Sequence, residues 1–125
     1  MTSVPVERPV GRVAAFTAIS WLGMFIHNEL DLPLTLLSPE NSLPGLISIA
    51  LFLGWWLSPY GRLLAYVLLG WALLHLVAGG ILSVLPLPFL PFYPEQSLTH
   101  YLAHAIYSLA QLPLIALMIS QLRHS

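Results

Sequence analysis

The sequence predicts an all-α integral membrane protein: a bundle of four transmembrane helices, one domain over residues 1–125, with both termini in the cytoplasm. Three observations predict it. The chain is 58% hydrophobic and only 7% charged, with a mean hydropathy of +0.83; soluble domains carry about 25% charged residues. So few charges could not cover a water-facing surface, which argues against an unusually apolar soluble bundle. Four apolar segments approach the length of about 20 residues that crosses about 30 Å of hydrocarbon. Finally, the four arginines fall only where alternate crossings would put them on one side.

The first helix is expected over about residues 13–30, "VAAFTAISWLGMFIHNEL", ending before Pro33. Arg8 and Arg12 ahead of an apolar run imitate a signal peptide, but "HNELDLP" follows instead of a small-residue cleavage site, so the segment reads as a retained anchor. The second helix is expected over about 43–57, with Ser42 as N-cap and Pro44 in the first turn, where its missing N–H costs nothing. It is short and must cross with little tilt. After the turn "SPYG" comes the third, 62–85. The fourth runs over about 98–122, with Ser97 as N-cap and Pro113 as a kink.

Charge sets the orientation. Arg8, Arg12, Arg62 and Arg123 fall on one side of four alternating crossings, together with Glu7; Glu29, Asp31, Glu40 and Glu95 fall on the other. The positive-inside rule makes the arginine side cytoplasmic, and the chain's simplicity points to the plasma (inner) membrane. The outer segment "PLPFLPFYPEQ" has too many prolines to span. Its aromatics fit an interfacial anchor. The first ten residues are expected to be flexible.

Composition excludes several chemistries. There is no cysteine, hence no disulfide, thiolate ligand, iron–sulfur cluster or cysteine nucleophile. Without lysine and with a net charge of −1, the chain offers no basic surface for nucleic acid.

Polar side chains nevertheless recur at helical spacing. Gln96, His100, His104, Tyr107 and Gln111 form one stripe; Thr17, Ser20, Met24, His27 and Asp31 form another; Trp71, His75 and Gly79 form a third, beside Gly80. Lipid would penalise these stripes, so they are expected to face the bundle. Gly79 and Gly80 would admit a close neighbour. At about 1.5 Å per residue, His27, His100 and His104 lie roughly 5, 3 and 9 Å inside the outer helix ends, and His75 roughly 15 Å deep. Glu29 and Glu95 stand at the rim, while His124 is incidental at the far terminus.

Imidazole and carboxylate are metal ligands, and His-x-x-x-His puts two rings on one helix face. The sequence therefore nominates His27, His75, His100, His104, Glu29 and Glu95 as ligands for an iron, zinc or copper ion. The deeper pair His75 and His104 is nominated for a haem. A metal-free enzyme acting on a lipid, isoprenoid or quinone is the alternative, with His104 or His75 as acid–base catalyst, Glu29 or Glu95 as its partner and Tyr107 as donor. A third reading is a non-catalytic subunit or scaffold of a larger membrane complex; a homo-oligomer and such a complex are both open as partners. Expected partners are the bilayer and a hydrophobic small molecule. Tyr107 and Gln111 also fit plain packing between helices.

Overall fold

Apolar helices with polar stripes must hide those stripes against one another, and this chain does so with four helices in sequence order. The computed structural model describes residues 8–31 and 33–124, of Asp31 the backbone only. Helix α1 is Val10–Asp31, α2 is Pro39–Leu57, α3 is Gly61–Leu74 and α4 is Leu98–Arg123. Helix α3 continues as a π-helical segment, His75–Ile81, and a 3₁₀ turn, Leu82–Val84. No strand occurs among the described residues. Residues 1–7, whose flexibility the sequence predicts, lie outside the described residues, as do Leu32, Ser125 and the Asp31 side chain.

Helix α1 packs most extensively on α4, α2 lies against α1 and α3, and α3 closes onto α4. Gly23 makes the α1–α4 approach possible, because a Cβ there would collide with the Ala110 methyl. Arg8, Arg62 and Gln121 line one cavity, so the starts of α1 and α3 and the close of α4 share one end. At that end Arg8 Nη1 donates to the carbonyls of Trp55 and Trp56, both at 2.9 Å, satisfying the last turn of α2. The apolar core sits there too. Val13, Leu68, Ala72, Leu114 and Met118 are fully buried.

Helix α2 begins earlier than the sequence predicts. Ser38 precedes the first turn and Pro39 occupies its first position; Ser42 is already helical and its hydroxyl reaches back to the Leu37 carbonyl at 3.4 Å. Pro44 consequently lies inside the helix and cannot donate to the Glu40 carbonyl. That carbonyl instead meets Asn28 Nδ2 at 3.4 Å, and the Asn41 carbonyl accepts Trp21 Nε1 at 2.8 Å. Cross-helix donors thus repair the interruption.

Three helical stretches, Val10–Leu30, Gly61–Val84 and Leu98–Arg123, are long and apolar enough to cross a membrane. Helix α2 is not among them, because its first turn is Pro-Glu-Asn-Ser. The exterior carries large apolar side chains such as Leu46, Leu63, Leu74 and Leu109, whereas Thr17, Ser20, Asn28, Asn41, Ser48, His104 and Gln111 are buried. Large apolar side chains over the exterior, with polar ones buried beside the apolar core, depart from the distribution of a water-soluble domain.

Candidate metal centre

Three elements meet at the end opposite the arginines. The last turns of α1 present His27 and Asn28. The first turns of α4 present His100 and His104 on one face, started by Ser97, whose hydroxyl accepts the His100 N–H at 3.2 Å. The π segment supplies a backbone carbonyl. Its Gly79 and Gly80 leave room for α4: a Cβ at Gly79 would strike the Tyr107 hydroxyl, and one at Gly80 would strike Ser108. A π turn is wider than an α turn and is frequent at functional sites.

The nitrogens of His27, His100 and His104 available to a metal ion all lie within 4.8 Å of one another. The imidazoles of His100 and His104 are 4.6 Å apart between centroids, those of His27 and His104 4.3 Å, and those of His27 and His100 6.0 Å. His104 is only 4% exposed, and the other two are half-buried.

Hydrogen bonds fix which nitrogen of the His27 and His104 rings carries its proton. The Thr35 carbonyl can only accept, so Asn41 donates Nδ2 to it at 2.8 Å and turns Oδ1 inward. Asn41 Oδ1 in turn accepts Asn28 Nδ2 at 2.7 Å, leaving Asn28 Oδ1 to face His27 Nδ1 at 3.0 Å. His27 therefore donates from Nδ1. His104 does the same, giving its Nδ1 proton to the Gly80 carbonyl at 3.0 Å. In both neutral rings Nε2 is then the basic nitrogen, and the two Nε2 atoms stand 2.8 Å apart. Two lone pairs at that distance repel unless a proton or a cation lies between them. Orientation of ligand imidazoles by carbonyl oxygens behind them is the usual outer layer of a metal site.

The remaining nominated residues divide. His75 does not join the group: its Nδ1 meets the Tyr107 hydroxyl at 2.5 Å and its ring lies edge-on to Trp71. The Tyr107 ring lies 5.4 Å from that of His27, so the pair adjoins the three histidines without belonging to them. Glu29 and Glu95 are exposed, and neither belongs to the group. His104 turns its nitrogens toward Gly80 and His27, away from the haem-ligating partnership with His75 that the sequence nominates. Gln111 bonds with Ser20 through both hydroxyl and carbonyl, a packing role between α4 and α1.

Sequence reasoning missed Asn28, Asn41 and the Gly80 carbonyl. Asn28 was visible in "HNE" but reads there as a helix end meeting water. Asn41 could have been found from "SPEN", where a proline at the first helical position places an asparagine in the first turn. A carbonyl has no sequence signal. The flanking Gly-Gly predicts close approach, not which oxygen faces a histidine.

Chemically, three imidazoles from two helices can hold one cation. At zinc–nitrogen distances of about 2.0–2.1 Å, tetrahedral ligands stand about 3.3 Å apart. The His27–His104 pair would need to open by only about half an ångström to reach that geometry. The chain matches no protein-family model, and comparison with curated proteins and with solved structures likewise returns no match.

Proposed function

We propose that this is a multi-pass protein of the plasma (inner) membrane, with its termini in the cytoplasm, that holds a transition-metal ion at His27, His100 and His104 near the outer face. One observation carries the metal reading: two rings on different helices, each with Nδ1 committed to an oxygen, aim basic Nε2 atoms at each other across 2.8 Å. Membrane insertion is supported by three long apolar helices, by the apolar exterior and by arginines gathered at one end.

Three imidazoles with no carboxylate among the described ligands suit zinc or copper better than iron. A three-histidine set leaves one tetrahedral position for water or a substrate atom, the arrangement of catalytic rather than structural zinc. Such an ion acts as a Lewis acid and makes its bound water more acidic. A bare ion fits better than haem, because His104 points its nitrogens at Gly80 and His27 and not toward His75, its nominated haem partner.

Elemental analysis of protein extracted in mild detergent tests the proposal. About one zinc or copper ion per chain is expected, lost when His27 and His104 are both alanine. Metal-free wild-type protein that also fails to take up either ion on titration contradicts it.

A second reading has its own observation. The 2.5 Å His75–Tyr107 bond links an acid–base pair that a metal-free enzyme acting on a lipid, isoprenoid or quinone would use. Turnover that survives metal removal but is lost in both His75→Ala and Tyr107→Phe would favour it. A subunit role would be supported by co-purification of stoichiometric partners from the membrane.

A further inference from the structure

The arginine end holds a cavity of about 180 Å³ between the starts of α1 and α3 and the close of α4. Arg8, Arg62 and Gln121 form its polar wall, and Trp55, Ala65 and Leu122 its apolar one. No carboxylate stands among the described residues that line it.

Arg8 is held at this cavity by the protein itself. Its Nη1 gives protons to the Trp55 and Trp56 carbonyls, both at 2.9 Å, and its Cζ lies 5.9 Å from the centre of the Trp55 ring. Gly61 makes the room, since a Cβ there would stand 2.7 Å from Arg8 Nη2. A guanidinium carries five N–H donors in one plane. The two on Nη1 close the last turn of α2. No bond within the described residues takes those on Nη2 and Nε, and Arg8 is exposed, so a ligand in the cavity can reach them. Arg62 is braced differently, with Cζ 5.7 Å from the centre of the Tyr66 ring one turn along α3.

Charge and position select the ligand. Two guanidiniums on one cavity favour an anion, and the planar fork of a guanidinium matches phosphate oxygens. On the membrane reading above, on which this inference rests, the cavity lies at the inner headgroup level. Basic pockets between transmembrane helices on that side receive the headgroups of anionic phospholipids. The apolar wall favours a lipid over a soluble phosphate, because it offers contact to the glycerol and first methylenes that a hydrated ion lacks. We propose that this cavity binds the phosphate of one anionic phospholipid of the inner leaflet. Arg8 Nη2 donates to the phosphate while Nη1 closes α2, Arg62 supplies the second charge, and Gln121 adds a further donor.

The test uses the full chain in nonionic detergent, titrated with phosphatidylglycerol or phosphatidylcholine and read by native mass spectrometry. A single phosphatidylglycerol should stay bound under conditions that strip phosphatidylcholine. Arg8→Gln and Arg62→Gln should each weaken its retention about five-fold, the scale of one arginine at an anionic headgroup. Arg123→Gln removes the same charge from the same end but outside the cavity, and should weaken retention by less than about two-fold. If loss of the α2 closure unfolds Arg8→Gln, the comparison of Arg62→Gln with Arg123→Gln decides alone. Equal losses in Arg62→Gln and Arg123→Gln would reduce the effect to the general attraction of a basic surface and overturn the proposal. So would equal retention of the two lipids. Displacement of the lipid by inorganic phosphate at matched concentration would also overturn it, assigning the cavity to a soluble phosphate. Flotation of the full chain with phosphatidylcholine vesicles separates the two failures. A chain that does not float rejects the membrane reading, and this inference with it; one that floats without lipid preference rejects this inference alone.

Discussion

The two ends of this bundle are built from the same four helices on opposite principles. At the arginine end Val13, Leu68, Leu114 and Met118 fill the interior, and Arg8 closes the last turn of α2. At the histidine end the interior is polar: Asn28 with Asn41, His27 with His104, His75 with Tyr107. Ser20 and Gln111 mark the transition. One end holds the helices together by packing, which accepts any side chains of suitable shape. The other holds them by directed bonds, each of which dictates the next. The difference teaches where to look for chemistry: in the half where each proton has an assigned place.

Substitutions that strike one end and spare the other sharpen this contrast. The largest effect is expected from replacing His27 and His104 together by alanine, which should take bound metal from about one ion per chain to near zero. The metal-free variant should still fold, with a lowered thermal midpoint, since the arginine-end core is intact. Retained stoichiometric metal would move the site elsewhere.

Next comes Asn28→Leu, which removes the oxygen behind His27 Nδ1 and frees that ring to turn. Loss of such an outer partner typically costs about 10–100-fold in metal affinity, measurable by competition with a chromophoric chelator. Protons compete with metal for imidazole nitrogen, so affinity should also rise with pH, with proton release on binding. Calorimetry in two buffers of different ionisation enthalpy reads that release directly; identical apparent enthalpies would count against imidazole ligands.

Leu68→Ala reverses the assignment. Truncating a fully buried leucine leaves a cavity and costs about 2–5 kcal/mol in water-soluble cores, and a membrane interior would lose the packing part of this. Melting in detergent should fall by several degrees while metal affinity stays within about two-fold, because Leu68 belongs to the apolar core and not to the histidine group. The smallest effect belongs to Glu29→Gln and Glu95→Gln. Both glutamates are exposed and outside the histidine group. Metal affinity should be unaltered, and a ten-fold loss would restore them as ligands.

Much of the helical architecture was legible because period and composition carry it. The polar stripe on α4 and the histidine near the end of α1 were visible at once, and a height argument brought His27, His100 and His104 to one level. Height alone misplaced the rest. Glu29 is two residues from His27, about 200° around the helix, so a shared level could not mean a shared face. His75 lies where the α-helical register gives way to the π segment, and an assumed uniform 1.5 Å rise could not anticipate its turn toward Tyr107. The early start of α2 was hidden because Pro44 looks like a helix start. Donors from α1, Asn28 to the Glu40 carbonyl and Trp21 to the Asn41 carbonyl, accompany a proline that sits one turn further in. Local signals mark where helices are; bonds between distant residues decide how they are turned.

X-ray absorption at the metal edge of the zinc- or copper-loaded protein tests the central claim most directly. Nitrogen ligands at about 2.0 Å, with the outer-shell scattering of three imidazole rings, are expected, falling to two rings in His100→Ala. A shell of oxygen atoms alone, or a spectrum indifferent to replacement of His27, His100 or His104, would contradict the account.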